Sequence, residues 1–213
     1  MYRKATQQDI PGITALWREA FHETPKLPRC DCYVAQKDGQ IAGMLFAIPQ
    51  LLKTTRLRKA AYFYAIATKQ EYRGQGICRG LMAYAERHMD ADCCVLVPAS
   101  ESLFGFYEKL GYKTVFTRSR TAFQGGEEIS MARYLMLREQ LLPMAHMVYE
   151  DLSYAQSVYG LKFYQTPTGL CAACDGFTAE RIPEDFSCQP YGMIKWLREP
   201  EDIKNAFLGF SLE

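Results

Sequence analysis

The 213-residue sequence contains no apolar run approaching the ~20 residues that a membrane-spanning helix requires, so no membrane association is expected. Its opening residues, Met1 to Asp9, are polar and lack the apolar core of a secretory signal. A cytoplasmic location is expected, with the eight cysteines as thiols. Neither sign of charge is in excess: 25 basic residues against 24 acidic give a net charge of +1. That balance argues against nucleic acid or an anionic membrane as the main partner. Disorder is excluded as well, because the chain is 48% apolar and 13% aromatic. Low-complexity segments and repeats of solenoid length are absent. Cys171 and Cys174 have zinc-like spacing, yet no second pair with that spacing follows. On a strand, residues three apart point to opposite faces and cannot share an ion. Cys30 and Cys32 would share a face but have no evident partner. No metal is expected, and the cysteines read as buried free thiols.

What the sequence does hold is enough for one large domain or a domain with an appendix, able to bury roughly 70% of its unfolded surface. The chain begins as strand then helix: Thr6 to Asp9 can cap a helix carrying Ile10, Ile13, Leu16, Trp17 and Phe21 at helical spacing, and Pro11 fits its first turn. Strands Cys32–Gln36 and Ile41–Ile48 flank Asp38-Gly39, a strong hairpin signal. Ala60–Thr68 reads as another strand, Ile77–His88 as a helix, and Cys93–Val97 as a short strand buried on both faces. A helix from Leu103 to Leu110 is closed by Gly111, Tyr112–Phe116 returns to strand, and Arg120–Phe123 can add one more. After Gln124–Glu128, helices are expected over about 131–142 and 149–159, followed by a meander of strands at 161–165, 170–174 and 177–182.

Chemistry is concentrated between Tyr64 and Leu81, where an apolar strand meets a glycine turn and an amphipathic helix. The first-turn amides of a helix lack internal acceptors, and its dipole places partial positive charge there. Glycines at 74 and 76 let backbone approach an oxyanion closely, which together makes a pyrophosphate cradle. The same pattern also arises merely to pack an α/β unit. It is neither a P-loop nor a full dinucleotide fingerprint.

Arg73-Gly74-Gln75-Gly76-Ile77-Cys78 resembles the Q/R-x-x-G-x-G/A motif of the GNAT N-acetyltransferase superfamily, with Cys78 in place of the usual Gly or Ala. Leu103-Phe104-Gly105-Phe106-Tyr107-Glu108-Lys109-Leu110-Gly111-Tyr112 resembles the family's FYEKLGF signature, and roughly residues 1–123 follow the family's order of elements. The resemblance implies a mixed α/β fold, a twisted mixed sheet flanked by helices and splayed between its fourth and fifth strands. It implies acetyl-CoA as cosubstrate, its pantetheine arm paired with backbone of Ile66, Ala67 and Thr68 as an added strand. Amides of Arg73, Gly74, Gln75, Gly76, Ile77 and Cys78, with Arg79, would hold the pyrophosphate. Tyr107 matches the family's general acid, protonating the departing CoA thiolate; from its helix face alone it could equally be a packing aromatic. The implied reaction is transfer of acetyl to a primary amine, on a small molecule or peptide, by direct attack.

The strand 60–68 has no carboxylate to act as general base. Glu23 and His22 could face the acceptor, and a water relay is the other route. A cradle without a base also fits a non-catalytic acyl-CoA sensor or assembly module. Residues 1–126 are expected to form the acetyl-CoA-binding domain. Residues 127–213 are expected to form a smaller α+β unit, which weakly resembles a degenerate partial GNAT-like unit. It would serve as an acceptor-pocket wall, a homodimer surface or a packing appendage.

Overall fold

The structure is a computed structural model that describes residues 1–118, 125–142, 145–174, 177–182, 189–204 and 206–210. The possible strand at 120–123 lies outside them. The chain opens with β1 (Tyr2–Lys4) and α1 (Ile10–Phe21). The Thr6 amide donates to Asp9 Oδ2 at 2.7 Å, completing the cap before α1, and Arg3 grips both Asp9 oxygens at 2.7 Å. α1 buries Ile13, Leu16 and Trp17 of the predicted stripe, whereas Ile10 and Phe21, at the two ends of the helix where the sheet no longer covers it, are exposed.

β2 (Asp31–Lys37) and β3 (Gln40–Lys53) form the expected hairpin, with Asp38 and Gly39 both left-handed at φ 50° and 75°, as a type I′ turn requires. β4 (Leu57–Thr68) runs antiparallel to β3, α2 spans Ile77–His88, and β5 (Cys93–Leu96) pairs parallel with β4. That parallel pairing covers only residues 60–62 of β4 against 93–95 of β5, so beyond Tyr62 the two strands part. The helix predicted at 103–110 is shorter, a 3-10 turn at Glu101–Leu103 and then α3 (Phe104–Glu108), before β6 (Lys113–Arg118). Ser100 does not cap it with its side chain; its hydroxyl meets Ser102 at 2.9 Å.

The remaining elements are β7 (Glu127–Ile129), α4 (Met131–Leu141), β8 (His146–Val148), α5 (Ser153–Tyr159), β9 (Lys162–Thr166), β10 (Gly169–Cys174), β11 (Phe177–Ile182) and β12 (Gln189–Trp196). The expected meander is present and forms a second sheet in the order β11-β10-β9-β7. The predicted helix at 149–159 is cut short: residues 146–148 extend the main sheet by pairing with Leu51–Lys53 of β3, and only Ser153–Tyr159 is helical.

β12 is a strand that no pattern in the sequence signals. It enters the main sheet, whose order is β1-β2-β3-β4-β5-β12-β6, with Met193–Trp196 antiparallel to β5 on one side and Gln189–Ile194 antiparallel to β6 on the other. The second sheet and its helices therefore lie between β6 and β12 in the chain. A division at residue 126 would leave β5 and β6 without the strand between them.

Helices cover both faces of the main sheet. α2 and α3 pack on Phe63, Leu96, Tyr112 and Met193, while α1 packs on Val34, Met44 and Phe46. α4 closes the second sheet over Phe163, Leu170 and Ile182. At the centre of this second unit lies a buried ion pair. Arg138 Nη2 and Nε donate to Glu180 Oε1 and Oε2 at 2.9 and 3.0 Å, Tyr134 donates to Oε2 at 2.6 Å, and Arg138 Nη1 donates to the Met147 carbonyl at 2.8 Å. Both charged residues are at most 1% exposed. Arg138→Ala would strand the Glu180 carboxylate without water or cation, so a loss of about 3–5 kcal/mol is expected in denaturant unfolding. Arg138→Met with Glu180→Leu should recover much of it. A single variant as stable as the parent would show that the pair does not hold this unit together.

Candidate functional site

The site is built where β4 leaves β5. Past Tyr62 the β5-facing edge of β4 has no strand partner among the described residues. The strand is also bulged there: Met44 opposes Ala67 and Phe46 opposes Tyr64, so Ala65 and Ile66 share the single opposing residue Leu45. Ala65 takes φ 49°, a left-handed conformation that costs a non-glycine residue about 1–3 kcal/mol. Nothing in the sequence signals this bulge, because alanine is an ordinary strand residue.

Strand and helix are joined by a 3-10 turn at Gln70–Tyr72 and the glycine loop. Arg73 is exposed and its Nε donates to the Thr68 carbonyl at 3.2 Å, tying the loop back to the strand end. Gly74 and Gly76 have φ 74° and 77°, which L side chains rarely adopt, and a Cβ at either would meet nothing within 4 Å. The loop therefore presents bare backbone to open space. Gly76 caps α2 without any side-chain hydrogen bond, leaving the first-turn amides of Ile77, Cys78 and Arg79 without a side-chain cap. Gln75 faces Lys37 of the hairpin and its Nε2 donates to the Glu71 carbonyl at 3.1 Å. Thr68 Oγ1 is buried and has no hydrogen-bond partner among the described residues.

Tyr107 on α3 is brought to the same place. Ile66 and Cys78 pack against the apolar cluster that contains Tyr107, so strand edge, helix start and phenol converge there. Tyr107 is 6% exposed, and burial, reinforced by the neighbouring Cys78 thiol, pushes its phenol well above the ordinary value. Its ring meets Phe106 and Tyr112 edge-on, at centroid distances of 5.2 and 6.0 Å. Its hydroxyl makes no hydrogen bond among the described residues. Burial also pushes the Cys78 thiol up to about 11, so it remains protonated and unreactive near neutrality.

Of the two base candidates, Glu23 falls on the other face of β4. His22 ends α1 in a left-handed conformation at φ 57° and is exposed. Glu23 Oε1 accepts from Trp17 Nε1 at 3.2 Å, and the Trp17 ring lies edge-on to Tyr64 at 5.8 Å. Sequence reasoning missed Tyr159 as a neighbour of this loop, since α5 reaches it only through tertiary packing. Among the described residues no group of three or more His, Cys, Asp and Glu could hold a metal, and no helix is long and apolar enough to cross a membrane.

A mixed sheet parting at one parallel pair, with a glycine loop entering a helix beside the gap, defines an acetyltransferase-type α/β fold. The family model described as an acetyltransferase (GNAT) domain matches residues 1–115, more than half of the chain. The chain belongs to the GNAT family. No curated protein sequence matches it. Among solved structures, a GCN5-related N-acetyltransferase from Kribbella flavida superposes with TM-score 0.67 at 16% identity, over 92% of this chain and 72% of the other. A probable N-acyltransferase from Enterococcus faecalis gives 0.61 at 14% identity, over 84% and 53%. A GCN5-related N-acetyltransferase from Anabaena variabilis gives 0.59 at 17% identity, over 86% and 56%. The chain thus spans 72% of the first of these and about half of the other two, and at such identities the likeness carries the fold alone.

Proposed function

We propose that the protein moves an acetyl group from acetyl-CoA to a primary amine, on a small molecule or peptide, by direct attack. The observation that carries this reading is the continuity of bare backbone from the bulged, unpaired edge of β4, across Gly74 and Gly76, to the uncapped start of α2. This surface fits a long anionic thioester. Backbone of Ile66, Ala67 and Thr68 would pair with the pantetheine arm, and the amides from Arg73 to Cys78, with Arg79, would take the pyrophosphate. The bound thioester supplies an acyl carbon activated toward an amine. Tyr107 holds its proton on Oη in a dry, apolar setting and can give it to the departing sulfur.

Acetyl-CoA is expected to raise the melting temperature, since a ligand specific to the native state adds about 2.7 kcal/mol at a hundredfold excess over Kd. In Gly76→Val the added shift, measured from the variant's own apo value, should vanish because the side chain would occupy the approach to the α2 amides. A shift equal to the parent's would move the binding surface elsewhere.

A second reading is a non-catalytic acyl-CoA sensor. It is favoured by one observation: β4 carries no carboxylate, and Glu23 is engaged with Trp17. Steady-state thiol release with a panel of amines separates the two.

A further inference from the structure

The face of β4 opposite Tyr107 carries an aromatic cluster with a carboxylate. We infer that Glu23, Tyr64 and Tyr159 form a recognition site for an organic ammonium, which makes the acceptor a cationic amine and not an anionic one. Its role as an acceptor site rests on the transfer reading above; its capacity to bind ammonium does not.

Four observations lead there. Tyr64 stands two residues before Ile66, across the Ala65 bulge, so the cluster begins where the proposed thioester surface ends. Trp17, itself fully buried, fixes Glu23 through the 3.2 Å hydrogen bond from Nε1 and touches Tyr64 edge-on, which holds the carboxylate over the strand. Only one Glu23 oxygen is used in that bond. Three residues further along the same loop, Lys26 lays its ammonium over the Tyr159 ring, 4.6 Å from the centroid. That contact joins the loop to α5 and shows the ring face already accepting an ammonium. Burial, reinforced by Tyr159 and Glu23, pushes the Tyr64 phenol up to about 12.

The chemistry of the cluster selects its ligand. Ring faces present negative charge to a cation, and a carboxylate beside them adds a full charge. An anionic ligand would meet the Glu23 carboxylate and two phenol rings, against the Lys26 ammonium. Lys26 acts as an internal competitor: its ammonium occupies one ring that the ligand would use.

The test uses choline, which cannot be acetylated on nitrogen, against its neutral carbon isostere 3,3-dimethylbutanol, in calorimetric or tyrosine-ring NMR titrations of the full chain without acetyl-CoA. Choline should bind saturably and at least about tenfold more tightly than the isostere. Glu23→Gln keeps an acceptor for Trp17 Nε1 while removing the charge, and should weaken choline by about tenfold. Lys26→Met should tighten it. Equal binding of the two probes, no binding of either, or indifference to Glu23→Gln would each overturn the site. If choline binds while acetyl-CoA gives no thermal shift, the ammonium site stands and the transfer reading falls. An acetyl-CoA shift without choline binding gives the reverse.

Discussion

Tyr107→Phe should bind acetyl-CoA as the parent does and lose turnover by about 10²-fold or more, the scale of a positioned proton donor. The substitution removes only Oη. The ring remains to pack against Phe106 and Tyr112, and the cavity left by one oxygen is small. Because the hydroxyl makes no hydrogen bond among the described residues, the variant should lose little stability. The pH profile adds a second readout. Burial raises the phenol above its ordinary value of about 10, so its proton stays on Oη throughout the range where a phenol could otherwise ionise. Tyr107 should thus contribute no alkaline loss of kcat below about pH 10. Parental turnover in Tyr107→Phe, with an amine that the parent acetylates, would reduce Tyr107 to a packing residue.

A fragment ending at Gly126 should fail to fold. It lacks β12, and with it the strand that pairs with both β5 and β6. Met193 and Ile194 are at most 2% exposed, each worth roughly 1.5–3 kcal/mol of burial, and the ladders on both sides would be lost with them. Lys195 Nζ also reaches Glu86 Oε2 on α2 at 2.7 Å, and Glu86 Oε1 accepts from Tyr112 at 3.0 Å. Removing β12 therefore loosens the ring against which Tyr107 packs. The fragment further loses Ala206 and Leu208, which bury against Phe116 on β6. The expected result is aggregation or a non-cooperative melt by circular dichroism. A soluble, monomeric 1–126 fragment with a sharp transition would show that β12 is dispensable and that the later residues form an independent passenger.

Local patterns made much of the first 118 residues legible. Asp38-Gly39 between apolar runs specifies its turn by backbone preference alone. The spacing of Ile13, Leu16 and Trp17 specifies which face of α1 is buried. Gly74 and Gly76 specify an open loop because few other residues tolerate their φ values. These features depend on residues within one or two turns of each other, so the chain carries them without knowledge of the whole.

Three decisions belong to the tertiary structure. The stretch 189–196 includes Pro190 and Gly192, both poor strand residues, and becomes a strand because the gap between β5 and β6 supplies partners on both sides. Ala65 adopts its left-handed bulge because β3 and β4 are held in register before and after it. Tyr159 and Glu23, far apart in sequence, meet one neighbourhood because α5 is carried there by the inserted unit. In each case the determining partner lies tens of residues away, and no short-range preference encodes which distant surface will be left open to receive it.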